Sequence, residues 1–143
     1  MKTNVNPLIY GAMTLSMIFL IALSCNQGPP QGTRDAQALR GKEIFEKQCI
    51  SCHGFNEIAA TVDTLSTKPP DLTEIMLRRP KAKEFPIVDI ARIIDGRNLV
   101  KSHGPREMPV WGEVYTQEGL DDNELRGRKG ELVAYLMSIQ KWK

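Results

Sequence analysis

The chain has 143 residues, 19 Lys or Arg against 17 Asp or Glu, a formal charge of +2 and three cysteines. That length holds one folded domain with a modest core. Both signs of charge are spread along the chain and no internal repeat divides it, so neither a nucleic-acid partner nor a modular array has support.

Residues 1–25 read as an export segment that takes no part in the fold. Lys2 gives a short positive start, the run from Leu8 to Ser24 is uncharged and apolar, and Cys25 follows at once. Ala22-Leu23-Ser24-Cys25 is similar to a bacterial lipoprotein signal, in which the cysteine is lipidated and becomes the new first residue. Two other fates stay open. The run is close to the lower limit for a bilayer span and can serve as an uncleaved anchor, or the chain can be secreted in the ordinary way. All three put it outside the cytoplasm, at the outer face of the bacterial cytoplasmic membrane or in the periplasm. Residues 26–33, rich in Gln, Gly and Pro, have too little apolar surface to pack and read as a flexible tether. The folded domain is expected over 34–143.

From Asp35, the expected N-cap, the pattern turns helical. Ala38, Gly41, Phe45, Cys49 and Cys52 step by three or four and share one face. That face ends in Cys49-Ile50-Ser51-Cys52-His53, a C-x-x-C-H run of the kind that attaches a c-type haem. Cysteines three apart on a helix can both reach one flat ligand and form thioethers to its two vinyl groups. The imidazole of His53 is then carried under the macrocycle, where a ring nitrogen can bind the iron. A structural zinc site would need four ligands, and outside the run only Cys25 and His103 remain as Cys or His candidates. A thioredoxin-type pair would need a βαβ setting that the pattern lacks. One C-x-x-C-H implies one haem.

Gly41-x-x-x-Phe45 followed by C-x-x-C-H resembles the class I cytochrome c family, over roughly residues 34–143. The resemblance implies an all-α fold of three to five short helices around one covalently bound haem c, with the first and last helices crossing. It also implies an exposed haem edge and a methionine from a late loop as sixth ligand. Lys68-Pro69-Pro70-Asp71-Leu72 is similar to the family's Pro-x-Leu segment. By that likeness the carbonyl of Pro70 accepts the hydrogen bond of the ligand histidine, which fixes its tautomer, and Leu72 lies against the haem face. Taken alone, a Pro-Pro pair reads simply as a turn.

Phe55 to Phe85 is otherwise loop-like, with short helical pieces at Thr73 to Arg78. Pro86 to Asp95 reads as a helix, with Ile87, Ile90, Ala91 and Ile94 on its inner side, Pro86 suited to the first turn and Gly96 to the C-cap. Met108-Pro109-Val110-Trp111-Gly112 is similar to the family's axial-methionine segment. A thioether is a soft, neutral ligand that favours reduced iron, and Pro105 and Pro109 restrict the backbone on both sides. His103 stays open as a rival ligand of lower potential, as does an exchangeable sixth position; Met76 and Met137 are the other candidate sulfurs. Asp121 to Glu124 resembles a capping box. Gly127 and Gly130 weaken the turns that follow, so the firm helix is expected over Glu131 to Lys141. Leu132, Tyr135, Leu136 and Ile139 form its apolar face, and the family likeness sets Leu132 and Tyr135 against Gly41 and Phe45.

The expected function is electron transfer rather than catalysis, with redox proteins as partners, the membrane as an attachment and no small-molecule substrate. A dedicated haem subunit of a dehydrogenase or oxidase, or a sensor or peroxidase with an exchangeable sixth ligand, are the alternatives. Lys101 and Arg106, beside the Met segment in sequence, are candidates for steering an acidic partner.

Overall fold

A computed structural model of the chain describes residues 28–55, 60, 61, 65, 67–97 and 107–142. The proposed export segment with Cys25, and Lys101, His103 and Arg106, lie outside the described residues. The chain divides into two compact units, Met1–Pro30 and Gln31–Lys143, and every element below belongs to the second. Among the described residues there are five α-helices and no strand, and no helix is long and apolar enough to cross a membrane.

Helix α1 (Arg34–Gln48) starts at Thr33, whose side-chain oxygen accepts a hydrogen bond from the Ala36 amide at 3.2 Å. The cap is therefore Thr33 and not Asp35. Thr33 has the extended backbone that a capping residue needs, whereas Asp35 is already helical. There its carboxylate complements the positive end of the helix. The chain kinks at Cys49 (φ −119°, ψ −36°) before α2 (Ile50–His53). The C-x-x-C-H run thus has a short helix of its own rather than the last turn of α1.

A 3-10 turn, Leu72–Glu74, is capped by the Asp71 carboxylate, which accepts from the Thr73 amide at 2.8 Å. Helix α3 (Ile87–Asp95) follows Pro86 and stops at Gly96, which adopts the left-handed conformation at φ 74°. Ile90 and Ile94 are buried, but Ile87 is 52% exposed. It opens the helix, and the core begins only one turn further in.

Helix α4 (Trp111–Gln117) was not signalled by periodicity, and α5 (Asp122–Ser138) is longer than the sequence suggests. Asp121 and Glu124 form a reciprocal capping box, the carboxylate of Asp121 accepting from the Glu124 amide and that of Glu124 from the Asp121 amide, both at 2.9 Å. The helix then runs unbroken through Gly127 and Gly130. Each costs about 1 kcal/mol relative to Ala, but Leu125 before them and Leu132, Val133 and Leu136 after them are all buried. Burial of that stripe outweighs propensity.

The first and last helices pack at Gly41. A Cβ built there would overlap the carbonyl oxygen of Glu131 and lie 2.9 Å from Tyr135 Cβ, so the two backbones touch where only hydrogen fits. Next to this contact Phe45 and Tyr135 place their ring centroids 5.3 Å apart, and Phe55 packs edge-on to Phe45 at 5.9 Å. Arg40 and Glu131 pair across the same seam. Gly41→Ala should therefore destabilise the protein by about 2 kcal/mol in denaturant unfolding, since the overlap with backbone exceeds the helix-propensity gain. A neutral or stabilising effect would mean that the helices do not meet here.

The end of the chain is stapled to the 3-10 turn. The buried amide of Gln140 donates to Leu72 O (2.8 Å) and Leu136 O (2.5 Å) and accepts from the Met76 amide (3.2 Å). Beside it the Lys141 amide donates to Thr73 O at 2.8 Å. Three partners satisfy this otherwise costly buried group and hold the segment that follows Pro70 against the base of α5.

Candidate functional site

Helix α2, the Pro69-Pro70 segment, α3, the residues before α4 and the inner face of α5 enclose one cavity of about 1080 Å³. This is at the upper end of ordinary ligand pockets, which run to about 1,000 Å³. Cys49, Cys52, His53, Pro70, Leu72 and Met108 all line it. Much of the remaining wall is aliphatic, from Ile75, Ile90, Ile94, Leu132 and Leu136. Neither Met76 nor Met137 lines it; Met76 is buried in the core at 7% exposure.

His53 Nδ1 lies 2.9 Å from the Pro70 carbonyl oxygen. A carbonyl can only accept, so Nδ1 must carry the proton, which leaves the Nε2 lone pair of the neutral ring free to bind a metal. This contact spans 17 residues, and it joins α2 to the segment held by Gln140. Burial, followed by the proximity of Cys52, pushes the Cys49 thiol up to about 12. Such a thiol stays protonated at neutral pH and is a poor redox nucleophile. Thiol exchange therefore fits Cys49 badly. Among the described residues no group of three or more His, Cys, Asp or Glu is arranged to hold a metal ion.

The cavity suits a flat iron porphyrin on a further count. Arg79 Nη1 is buried and has no hydrogen-bond partner among the protein atoms, and Arg79 is part of the wall. A buried guanidinium donor without an acceptor is costly, and a ligand bearing carboxylates supplies one. Lys68, Arg78 and Arg97 also reach the wall, against the single carboxylate of Glu107. Arg78 is held in part by the Asp71 carbonyl at 2.7 Å. Sequence reading missed Arg79; its only signal is a double arginine directly after the apolar Ile75-Met76-Leu77.

It missed a second feature behind the wall. Asp95, at the end of α3, accepts from Arg97 Nε (2.7 Å) and Nη2 (3.0 Å) and pairs with Lys129 of α5. The Arg97 hydrogen bonds, joined by Lys129 and opposed by partial burial, hold the carboxyl well below the usual range. Its pKa is lower folded than unfolded, so its stabilisation is complete above the ordinary carboxylate range, declines as pH falls below that range and is gone once pH has passed through the lowered value. Deeper still, Tyr115 of α4 is buried, donates to Gln48 Oε1 at 2.5 Å and stacks 5.8 Å from Trp111, which lines the cavity. Arg128 lies over the same ring, 4.9 Å from its centre.

A family model described as cytochrome c matches residues 38–140. No curated protein and no solved structure matches the chain.

Proposed function

The chain belongs to the cytochrome c family, and we propose that it is a mono-haem electron carrier whose iron is held between His53 and Met108. Haem-based electron transfer is the family's function, and its cofactor is a covalently attached haem c. When bound, that group supplies an iron that cycles between Fe(II) and Fe(III). One observation carries the finer reading: two thiols, an imidazole with one nitrogen already engaged, and a thioether meet on the wall of a single, largely aliphatic cavity.

In this reading each residue has one task. Cys49 and Cys52 tether the ring through thioethers, and Pro70 orients His53. Leu72 and the aliphatic wall keep water away, which with the axial pair sets the potential. Arg79 takes a haem carboxylate. Met108 fills the sixth position, so the protein passes electrons at the ring edge and makes or breaks no bond in a substrate. Its partners are redox proteins, met transiently or in a complex, and Lys101 and Arg106 steer acidic ones. The segment 1–25, through a lipid on Cys25 or as an anchor, holds the domain at the outer face of a bacterial membrane.

The test is the mass and the redox-titrated visible spectrum of the protein purified after export. One haem should remain attached under denaturing conditions, and the spectrum should convert reversibly in a single one-electron step. A product without a porphyrin adduct overturns the proposal.

A further inference from the structure

We propose that Asp95 is a positioning residue for the sixth iron ligand, acting through Arg97 and Gly112 on the stretch that carries Met108. The inference rests on the reading of Met108 as that ligand.

The chain leaves α3 at Asp95-Gly96-Arg97 and enters α4 at Trp111-Gly112, and Met108 stands between these two points in sequence. The two points are joined directly. The Asp95 carboxylate grips the guanidinium of Arg97 with two hydrogen bonds, at 2.7 and 3.0 Å, a planar and directional pairing. This pair lies on the backbone of Gly112. A Cβ built on Gly112 would come within 2.6 Å of both Arg97 Nε and Asp95 Oδ1, closer than real Cβ contacts allow. Glycine at 112 is what lets the ion pair and the start of α4 meet. Arg97 and Trp111 line the same cavity as His53 and Met108, so the clasp sits at the rim of the site.

The lysine arm does something different. Lys129 reaches the other carboxylate oxygen of Asp95 from the second turn of α5, and Lys129 does not line the cavity. One carboxylate thus serves two purposes: both its oxygens hold Arg97 at the entry and exit of the Met108 segment, while Oδ2 also takes Lys129 and so ties α3 to α5.

The physical need is clear. A neutral thioether binds iron without charge attraction, so its retention depends on how little freedom the segment gains when the bond opens. Fixing both ends of the segment lowers that gain and raises the effective concentration of sulfur at the iron. Ligand groups must be held to within about 0.5 Å by such supporting contacts.

The experiment measures carbon monoxide uptake by the ferrous holoprotein, together with its thermal midpoint, in the wild type and four variants. Met108→Ala sets the rate for an open iron, and the wild type should be far slower. Asp95→Asn keeps the shape of the side chain but loses the charge, and should speed uptake at least tenfold over wild type. Gly112→Ala, which pushes the ion pair off α4, should do the same and serves if Asp95→Asn folds poorly. Lys129→Met should lower the melting temperature while leaving the uptake rate within about twofold of wild type. Wild-type uptake rates in both Asp95→Asn and Gly112→Ala overturn the proposal. So do rates that rise in step with lost melting temperature across all three, Lys129→Met included, since that pattern is general loosening. A wild type as fast as Met108→Ala removes the axial reading itself, and the clasp falls with it.

Discussion

Met108→Ala should lower the midpoint potential by at least about 120 mV and open the iron to carbon monoxide. Thioether sulfur is soft and uncharged, and it stabilises Fe(II) over Fe(III). For one electron each factor of ten in relative affinity is about 59 mV, so a hundredfold preference gives the stated fall. Alanine leaves that position to water or an outside group, both harder donors that favour the oxidised state. Met76→Leu and Met137→Leu are the matched controls. Neither side chain lines the cavity, so both should leave the potential within about 20 mV of wild type, one third of a factor of ten. An unchanged potential in Met108→Ala would remove it from the iron. His103, which lies outside the described residues, would then be the next variant to titrate.

The double variant Cys49→Ser, Cys52→Ser should lack covalent haem and show little helix and no cooperative melting by circular dichroism. The cavity of about 1080 Å³ is walled by Ile75, Ile90, Ile94, Leu132 and Leu136, which belong to the buried core. A ring seated there extends that core, and its binding free energy adds to folding. Serine also places hydroxyls where Cys49 is only 8% exposed, without a thioether to satisfy the site. A full, cooperative helical signal from the variant would show that the helices close without haem.

Local signals were read well. Asp121 with Glu124 and Gly96 after α3 are short-range devices whose chemistry is complete within four residues, and the structure has both in their expected places, while Pro86, expected in the first turn, caps α3 from just outside it. The C-x-x-C-H run is likewise self-contained. The misreadings have the opposite character. Thr33 displaced Asp35 as a cap because both residue types cap and only backbone conformation chooses between them. Helix α5 passes through Gly127 and Gly130 because residues far away in sequence bury its apolar stripe. Ile87 obeys the helical period yet faces solvent at 52% exposure, because periodicity says nothing about where the neighbouring core begins.

The candidate site divides in the same way. Cysteines, histidine, Pro70 and Met108 could be named from motifs, whereas the buried donor of Arg79 and the Asp95, Arg97, Gly112 and Lys129 cluster depend on contacts up to 34 residues apart. No spacing rule joins a carboxylate to a glycine on another helix. Only the missing Cβ at Gly112 exposes that dependence.

The staple at Gln140 has a consequence for how the pocket closes. Cys49, Cys52 and His53 belong to the first two helices and the kink between them, whereas Leu132, Leu136 and Gln140 belong to α5 and the residues just after it. While that later part is undocked, Leu72 and Met76 lack the fastening that Gln140 gives them and the pocket has no back. The thiols are then open to the attachment chemistry, and the docking of α5 shuts the door behind the pigment.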